Sequence, residues 1–427
     1  MSPKVTIILP SLNVSDYIEV CIQSAISQSL HEIEIIIIDA GSTDGTWEIE
    51  RAYAEKDNRI ILLKSEKRSY GYQCNKAIDI AQGEYVAILE TDDYVVPQMY
   101  ERLYRVAKEN NCDYVKADYD AYFTQKDGAR FFLHRKTFAT DDYYEKTITP
   151  RMIPEVAFSD WYLWQGVYKR EFLDIFEIRF NETPGAAFQD IGFLCQTIAR
   201  AERTMYLKDS LYRYCIDRTE SSSNLGNALQ YAQQEYECAE VHFRGDIDQN
   251  VRRSLYLRMT RSLVSAYMSG ASFCNQTGDS HYRWFKERLT SAITEGMLDN
   301  NQLPADYKKK LGLLLESENA YFNAYPDQIQ WLQKRLADNT SAQIVVFGCG
   351  NNGLRIYLRL KTMGRSISAY MDNNSALWGT ILNGIPILQP TKRNIGCNQV
   401  FLIANEAYSE EIRKQLEDMG VSPDSIG

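Results

Sequence analysis

Short runs of aliphatic residues alternate with segments of helical periodicity through the first part of the chain. One of these runs contains the unbroken stretch Ile35–Ile38, which is typical of a strand buried on both faces of a parallel sheet. Because predicted strands and helices alternate, we expect an α/β architecture with a parallel sheet covered by helices. The predicted strands are Val5–Leu9, Ile33–Ile38, Ile60–Leu63 and Tyr85–Leu89, and the predicted helices are Tyr17–Ser27, Thr46–Ala54 and Tyr72–Ala81.

The pattern changes twice farther along the chain. Through residues 230–336 glycines are few and apolar residues recur every three or four positions, which predicts a helical bundle or connector. A second alternation of strand and helix begins at Ala342 and predicts another α/β region. We therefore expect three domains, at residues 1–220, 221–339 and 340–427. The elements predicted in the third domain are the strands Gln343–Phe347, Ile367–Met371 and Val400–Ile403 and the helices Leu354–Met363 and Glu410–Met419.

The composition is that of a soluble globular protein. The chain has 427 residues, more than one hydrophobic core usually supports. Its apolar fraction of 44% and charged fraction of 24% exclude a disordered chain. The formal net charge is −10. No nucleic-acid partner is expected, because nucleic-acid-binding domains normally carry a basic surface.

Cysteine usage and hydropathy together indicate a cytoplasmic location. The nine cysteines are scattered singly without a CxxC pair, so neither a disulfide framework nor a zinc site is expected. The first residues lead directly into a predicted strand, without the apolar segment of a signal peptide. Aliphatic runs such as Ile35–Ile38 are far shorter than the roughly 20 residues of a membrane span. Contact with a membrane-linked substrate would be peripheral, at the inner face of the cytoplasmic membrane.

Polar or acidic residues follow three predicted strands of the first sheet. Pro10–Asn13 follows the first strand, Asp39–Gly45 the second and Glu90–Asp93 the fourth. Ligands of open parallel sheets bind beyond the carboxyl ends of the strands, so the three segments together predict a binding site. Each segment alone is also compatible with ordinary turn chemistry, in which Asp and Gly are common.

The last of these segments concentrates carboxylates. Glu90, Asp92 and Asp93 lie within one short stretch at a strand end, and neighbouring carboxylates that repel one another often hold a cation. Oxygen ligands suit Mg²⁺ or Mn²⁺, with diphosphate oxygens and water in the remaining positions. Such an ion would neutralise a departing nucleoside diphosphate.

In combination and order, these segments resemble the amino-terminal half of family 2 glycosyltransferases, which have the GT-A fold. Leu89–Asp93 stands where that family carries its DxD motif. Downstream segments resemble the acceptor-side and closing segments of bacterial surface-polysaccharide members. The resemblance covers about half of the chain. It rests on Pro10–Asn13, Ile38–Thr46, Asn75–Tyr85, Leu89–Asp93, Trp164–Arg170, Glu182–Asp190, Tyr212–Tyr214 and Ser221–Ser223.

The resemblance implies roles for the matched donor-side residues. Asp39 would accept a hydrogen bond from a uracil ring nitrogen, and Glu90 and Asp92 would face the ribose and the metal. Glu90 stands where the family has aspartate, and Cys74 stands where it often has arginine. Other residues must therefore contact the donor phosphates. The remaining donor-side candidates are Pro10, Ser11, Asn13, Gly41 and Thr91, with Lys67, Arg68 and Gln73 for the phosphates.

The same resemblance implies that Asp190 is the general base, within a Gln-Asp pair that replaces the usual Glu-Asp. It would remove the proton of an acceptor hydroxyl as that oxygen attacks the anomeric carbon opposite the leaving diphosphate, which inverts the configuration. The alternative is that Asp190 only caps the following helix. Trp161, Trp164 and Glu182 are acceptor-side candidates, although large aromatic residues are more often part of a core.

A second glycine-rich turn occurs in the third predicted domain. Gly348, Gly350 and Gly353 follow a predicted strand and open a helix, and Asp372 ends the next strand. This is the arrangement of a dinucleotide-binding fingerprint. The segment resembles small Rossmann-like domains of bacterial sugar-modifying enzymes. NAD(P), a nucleotide-sugar, and a scaffold without ligand all remain open for this region.

Two functional hypotheses follow. The favoured one is an inverting, metal-dependent glycosyltransferase that moves a sugar from a nucleoside-diphosphate donor, UDP-linked by resemblance, to a hydroxyl. Its acceptor would be a glycan, a lipid-linked sugar or a protein glycan in surface polysaccharide synthesis. The alternative is an NAD(P)-dependent sugar oxidoreductase, or a bifunctional or regulatory protein, acting through the third domain. A homo-oligomer is compatible with both.

Overall fold

The computed structural model describes residues 2–124, 130–216, 228–243, 248–268, 280–325, 328–405 and 408–427, so Ser221–Ser223 lies outside the described residues. Two compact units are present. The first takes in the described parts of Met1–Ala121, His134–Cys215 and Glu220–Lys308. The second takes in those of Tyr122–Leu133, Ile216–Thr219 and Lys309–Gly427.

A nine-stranded sheet contains all strands described before the middle helices. These are β1 (Val5–Ser11), β2 (Ile33–Asp39), β3 (Ile60–Lys64), β4 (Tyr85–Ile88), β5 (Tyr94–Val95), β6 (Tyr114–Thr124), β7 (Arg130–Arg135), β8 (Gly166–Lys169) and β9 (Thr204–Cys215). Their order is β3-β2-β1-β4-β8-β6-β9-β5, with β7 paired to β6. The first four neighbours are parallel, whereas β8 is antiparallel to β4 and β6.

Helices of the first unit follow the predicted alternation. Every residue of β1 and β2 is buried, which agrees with a sheet covered on both faces. The α/β fold class predicted from the sequence is therefore confirmed. The helices are α1 (Ile18–Ile26), α2 (Thr46–Ala54), α3 (Tyr70–Ile80), α4 (Met99–Glu109), α5 (Pro154–Ser159), α6 (Arg170–Ile175), α7 (Gln189–Arg200), α8 (Ala228–His242), α9 (Gln249–Met268) and α10 (Ser280–Thr294).

The predicted middle region is helical. Besides α8, α9 and α10 it contains α11 (Ala305–Glu316), α12 (Glu318–Ala324) and α13 (Gln328–Asp338). The compact units group α8–α10 with the first sheet and α12 and α13 with the second unit. The exact domain boundaries given above stay a prediction. None of the described helices combines the length and the apolar character that crossing a membrane requires.

The second unit is built on a five-stranded sheet covered on both faces. Alternate residues of its central strand enter two different cores. Ile344 and Val346 pack with α13 and the helix Asn351–Thr362, whereas Val345 and Phe347 pack with the helix Ser409–Asp418. The strand order is β12-β13-β11-β10-β14. The elements are β10 (Gln343–Phe347), α14 (Asn351–Thr362), β11 (Ile367–Met371), β12 (Ile381–Leu382), β13 (Ile385–Leu388), β14 (Gln399–Ile403) and α15 (Ser409–Asp418).

Candidate active site

Asn13 fastens the loop after β1 to the loop after β2. Its backbone adopts a left-handed conformation with φ 51°, which asparagine tolerates better than most residues. The Asn13 amide N–H donates to Ser42 Oγ at 2.8 Å, and Asn13 Oδ1 accepts from the Thr43 N–H at 2.9 Å. These two hydrogen bonds join the loop after β1 to the loop after β2. The joined loops, Pro10–Asn13 and Asp39–Gly45, form the rim of the sheet.

Asp39 lies at the end of β2 and organises its own turn. Its side chain is 1% exposed. Asp39 Oδ1 accepts from the Gly41 and Ser42 N–H groups at 2.9 and 3.0 Å, and Gly41 adopts φ 89°, which favours glycine. Arg68 Nη2 donates to the Gly41 carbonyl at 3.3 Å. A fixed carboxylate with a guanidinium nearby therefore stands at this strand end.

A neutral acid lies beneath this rim. The Glu50 side chain on α2 is fully buried, and neither carboxyl oxygen has a hydrogen-bond partner among the described residues. Burial raises the pKa of Glu50 to about 8, against the influence of the Ser11 hydroxyl and with the help of the Asp39 charge. Glu50 therefore keeps its proton at neutral pH, because a buried carboxylate without a cation is costly.

Two of the predicted donor-side residues, Gln73 and Thr91, support the rim. Gln73 is buried, and its Nε2 donates to the carbonyls of Ser11 and Ile38, at 3.0 and 2.5 Å. Thr91 is also buried and donates from Oγ1 to the Pro10 carbonyl at 3.0 Å. The structure thus places Gln73 between two strand ends rather than toward a donor phosphate. The hydroxyl of Thr91 likewise bonds to the backbone at the end of β1.

The carboxylates after β4 separate into two environments. Asp93 is buried and accepts from the Tyr212 hydroxyl at 2.8 Å and the Cys215 N–H at 2.6 Å. Burial and the Asp92 charge raise the pKa of Asp93 well above its usual range. Glu90 and Asp92 are partly exposed at the sheet edge, and Glu90 Oε1 accepts from the Tyr70 hydroxyl at 2.6 Å.

The edge offers oxygen ligands to a divalent cation but not a complete shell. Among the residues that the structure describes, no group of three or more His, Cys, Asp or Glu side chains is arranged to hold a metal ion. Asp93 is directed into the core by its two hydrogen bonds. A cation at Glu90 and Asp92 would therefore need further oxygens from a substrate, which suits Mg²⁺ or Mn²⁺ with a diphosphate.

The 181–188 loop is fastened to the start of α3. Ser69 and Gly185 form a parallel bridge, and the Tyr70 N–H donates to the Gly185 carbonyl at 2.8 Å. A Cβ atom on Gly71 would lie 2.1 Å from the Asn181 carbonyl oxygen, so only glycine permits this approach. The residues after Asn181 are thereby brought to the edge that carries Glu90.

Lys67 and Glu182 form an ion pair across this junction. Lys67 Nζ lies 2.8 Å from Glu182 Oε2, and Asn75 Nδ2 donates to Glu182 Oε1 at 3.3 Å. The hydrogen bond from Lys67 lowers the pKa of Glu182. A predicted phosphate contact and a predicted acceptor contact are therefore partners of each other in this structure.

Asp190 lies in the first turn of α7, where it is partly exposed. The N-cap residue of this helix is Phe188, with φ 67°, so Asp190 is not the cap. Burial raises the pKa of Asp190 to about 6, against the opposing charge of Arg258 and the backbone N–H groups at the helix start. Asp190 is therefore ionised at neutral pH but can still take up a proton.

Tyr70 lies close enough to both Glu90 and Asp190 for their charges to act on its hydroxyl. Burial raises the pKa of the Tyr70 hydroxyl well above its usual range, and the charges of Glu90 and Asp190 both contribute. The predicted base and the predicted donor-side carboxylate therefore act on one side chain. The structure thus brings these segments, which are distant in sequence, to a common site.

Comparison with known proteins identifies the first region. Residues 6–162 match the family described as glycosyl transferase family 2. Over these residues the chain carries a glycosyltransferase family 2 domain. Residues 340–426 match a second family, described as C2185-like, N-terminal.

Relatives of the family 2 domain cover part of the chain. It is 32% identical to the uncharacterized glycosyltransferase EpsJ of Bacillus subtilis over 216 residues, 50% of this chain and 61% of that protein. It is 35% identical over 148 residues to the putative teichuronic acid biosynthesis glycosyltransferase TuaG of the same species, 34% of this chain and 59% of that protein. The matched stretch is thus less than two thirds of either relative.

A solved structure shares the fold. The chain superposes on S. aureus TarS 1-349 in complex with UDP-GlcNAc with a TM-score of 0.59 and 18% identity, covering 77% of this chain and 92% of that one. At this identity the likeness concerns the fold alone. It agrees with the GT-A architecture expected for the family 2 domain.

The two tryptophans predicted to contact the acceptor, Trp161 and Trp164, are engaged with protein groups. Trp164 is 5% exposed and stacks against Tyr162, Tyr212 and Tyr214, with ring centroids 4.8, 4.2 and 5.1 Å away. Its faces are therefore covered by tyrosine rings rather than open to a sugar. The Trp161 ring lies within 5.0 Å of two guanidinium groups, those of Arg258 and Arg261.

Outside the family 2 domain, the second glycine-rich turn is tightly packed. A Cβ on Gly353 would lie 2.0 Å from the Gly348 carbonyl oxygen, so the turn packs directly on the start of α14. Asp372 accepts from the Cys349 N–H and the Asn374 N–H, both at 2.8 Å. The comparisons give no support for NAD(P). A ligand at Gly348, Gly350, Gly353 and Asp372 stays a prediction.

Several residues of the candidate site were not predicted from the sequence. Tyr70 and Glu50 carry no motif that would have singled them out. Glu235 and Arg258 do carry a signal, because each charged residue occupies a position on the buried face of a helix. That face includes Tyr236 in α8 and Met259 in α9.

Proposed function

We propose that the chain is an inverting glycosyltransferase that transfers a sugar from a UDP-sugar to a hydroxyl of a glycan or lipid-linked acceptor in surface polysaccharide synthesis. Its family 2 domain supports the reaction class. The name of TuaG supports a polysaccharide acceptor, and the UDP-GlcNAc complex of TarS supports a UDP-linked donor. The observation that carries the proposal is the convergence of Glu90 and Asp190 on Tyr70, whose hydroxyl donates to Glu90 and whose pKa is raised by both charges.

Donor binding would use the rim of the sheet. The uracil ring N–H would donate to Asp39, which lies at the end of β2 and accepts from the Ser42 N–H of the rim. Glu90 and Asp92 would hold Mn²⁺ or Mg²⁺, and the chemistry supplied by that ion is neutralisation of the leaving diphosphate. Arg68 would add positive charge on the phosphate side of the rim.

The transfer itself would need one base. The acceptor oxygen forms a bond to the anomeric carbon while the bond from that carbon to the diphosphate oxygen breaks, and the hydroxyl proton passes to Asp190. Attack opposite the leaving group inverts the configuration, so an α-linked donor would yield a β-linked product. The pKa of Asp190, raised to about 6, suits a base at neutral pH.

The first experiment measures thermal stabilisation by UDP, GDP, CDP, dTDP, NAD⁺ and NADP⁺, with and without Mn²⁺. We expect stabilisation by UDP with Mn²⁺, and its loss in Asp92→Ala. Asp372→Ala is the matched control, because it removes a strand-end carboxylate of the second sheet, and it should keep the UDP response. Stabilisation by NAD(P) alone, unchanged in Asp92→Ala, would overturn the proposal.

A product assay then tests the stereochemistry. Purified protein, the donor that stabilises it and a panel of glycan and lipid-linked acceptors are incubated, and the new linkage is read by proton NMR. A β-linked product from an α-linked donor is expected. Retention of configuration would contradict the assignment of Asp190 as a base acting alone.

A further inference from the structure

The 181–188 loop is held by helix α3 through backbone hydrogen bonds. Asn75 on α3 pairs with the residue just before the loop: the Phe180 N–H donates to Asn75 Oδ1 at 2.8 Å, and Asn75 Nδ2 donates to the Phe180 carbonyl at 3.0 Å. Within the loop, the Gly185 N–H donates to the Arg68 carbonyl at 2.8 Å. These contacts fix the start and the middle of the loop against the segment that begins α3.

Helix α8 is a second element that contacts this loop. Glu235 is 1% exposed, and its Oε1 accepts from Asn181 Nδ2 at 3.2 Å. The ring of Tyr231 stacks on the ring of Phe188, with centroids 6.3 Å apart and an angle of 14° between the planes. Residues four apart in a helix share one face, so Tyr231 and Glu235 present a common surface. That surface contacts the first and the last residue of the loop.

The carboxyl of Glu235 also lies against helix α7. A Cβ atom on Gly192 would lie 2.5 Å from Glu235 Oε2, so glycine at this position leaves the space that the carboxyl occupies. Among the described residues, Oε2 has no hydrogen-bond partner. Burial raises the pKa of Glu235 to about 8, so the acid is neutral at neutral pH. Because a buried polar group is costly without a hydrogen bond, the bond to Asn181 ties the loop to α8.

The two loop residues that α8 contacts stand next to predicted site residues. Glu182 directly follows Asn181. Phe188 is the N-cap residue of α7 and precedes Asp190 by two positions. Its φ of 67° is unfavourable for a bulky residue and persists only where the surroundings hold it. Contacts from α8 therefore act on both the position of Glu182 and the start of α7.

We propose that Glu235 and Tyr231 are positioning residues through which α8 holds both ends of the 181–188 loop and so sets the acceptor side of the site. The inference rests on the proposed function, in which this loop faces the acceptor. Helix α8 lies outside residues 6–162, which match the family. Acceptor binding would therefore depend on a helix that the family match does not include.

The direct test measures hydrogen exchange of the full-length protein by mass spectrometry, in peptides from the 181–188 loop and from the rim. Glu235→Met removes the acceptor for Asn181 and keeps a side chain of similar length. We expect the loop amides to exchange about two- to tenfold faster, the effect of losing one hydrogen bond, and the rim amides to keep the wild-type rate. Glu235→Gln keeps an oxygen that accepts from Asn181, and its loop should exchange like the wild type.

Gly192→Ala alters the same contact from α7 and covers the case in which Glu235→Met does not fold. The added methyl group would displace the Glu235 carboxyl without removing it, while alanine favours a helix more than glycine does. Loop exchange should rise in this variant too. Tyr231→Leu removes the stacked ring and should raise exchange at the Phe188 end of the loop. Glu237→Met is the matched control, an exposed change on α8 that should follow the wild type.

Unchanged loop exchange in both Glu235→Met and Gly192→Ala would overturn the proposal. An equal rise in Glu235→Gln would also overturn it, because that variant keeps the hydrogen-bond acceptor. A rise in the rim as large as that in the loop would show general destabilisation in place of a local contact, and would contradict the positioning role.

The transfer assay separates this inference from the proposed function. Glu235→Met should raise the KM for the acceptor several-fold while the UDP affinity measured by calorimetry stays unchanged, and Glu235→Gln should restore the acceptor KM. A parallel loss of UDP affinity would contradict a role on the acceptor side. Absence of transfer by the wild type to every acceptor would sink the proposed function, whereas the exchange measurements would still decide whether α8 holds the loop.

Discussion

The two sheets of this protein carry similar strand-end turns, and the turn of the first sheet lies at an edge that also carries carboxylates from other segments. Asp39 follows β2 and accepts from the N–H groups of Gly41 and Ser42 in its own turn. Asp372 follows β11 and accepts from the Cys349 and Asn374 N–H groups. In both places an aspartate and a glycine-containing turn stabilise each other's backbone geometry.

The difference lies in what is added to the turn. At the first sheet, Glu90 lies at the end of a third strand and Asp190 lies in the first turn of α7. The Tyr70 hydroxyl donates to Glu90, and the charges of Glu90 and Asp190 both raise its pKa. A strand-end aspartate is thus explained by turn chemistry alone. It becomes part of a candidate active site when distant segments converge on it, because function belongs to the assembled site rather than to the fold.

The largest expected effect on transfer comes from Asp190→Asn. Removing a general base typically costs about 10²–10⁴ in rate, and the amide cannot take the proton. We expect kcat/KM to fall in that range while the UDP affinity measured by calorimetry stays unchanged. Asp372→Asn, the corresponding change at the second sheet, should leave transfer intact. Equal losses in the two variants would break the contrast between the sheets.

Tyr70→Phe should have the next largest effect on the rate of transfer. It removes the hydroxyl that donates to Glu90 at 2.6 Å, and hydrogen bonds to charged groups contribute roughly 1.5–3 kcal/mol. We therefore expect kcat/KM to fall by about ten- to a hundredfold. The matched control is Tyr72→Phe, whose hydroxyl donates to the exposed Glu66, and it should change little. Similar losses in both variants would show that the loss does not come from the hydrogen bond between Tyr70 and Glu90.

Glu50→Gln should remove a pH dependence of the free energy of unfolding. Burial raises the pKa of Glu50 from 4.5 to about 8. The folded protein then holds a proton that the unfolded chain releases, so stability falls as pH rises from 4.5 to about 8. Glu50→Gln should gain stability over the wild type progressively through that window, as measured by urea unfolding.

Glu50→Gln also tests whether the charge of Glu50 affects UDP binding at the rim. Above pH 8 the ionised Glu50 would repel Asp39, so UDP affinity should decline in the wild type but not in Glu50→Gln. Glu48→Gln, an exposed change on the same helix, should follow the wild type at every pH. Parallel pH profiles for wild type and Glu50→Gln would contradict a buried proton at this position.

Sequence patterns predicted the elements because burial and periodicity act locally. The run Ile35–Ile38 lies inside the fully buried strand β2, and the polar segments after β1, β2 and β4 meet at one edge because parallel strands end on the same side. The separation of Asp93 from Glu90 and Asp92 was not predictable, because it depends on Tyr212 and Cys215 in a distant strand.

Side-chain partners from far along the chain account for the other differences. Gln73 has its amide between two strand carbonyls, and Trp164 has its faces covered by tyrosines. Asp160 likewise has partners from distant segments, since its carboxylate pairs with Lys116 and its carbonyl accepts from Arg258. Composition and spacing contain no information about such pairings, because they are decided by packing between elements.

Gly353→Ala should have the smallest effect on transfer and a clear effect on stability. The added Cβ would lie 2.0 Å from the Gly348 carbonyl oxygen, a backbone atom that cannot move aside cheaply. Overpacking of this kind costs about 1–3 kcal/mol. Calorimetry should show a lowered unfolding transition, whereas kcat/KM below that transition should equal the wild-type value. Gly350→Ala is the control, because nothing lies within 4 Å of its Cβ position. Loss of transfer in Gly353→Ala but not in Gly350→Ala would mean that the second turn contributes to the reaction, and the contrast between the two sheets would have to be abandoned.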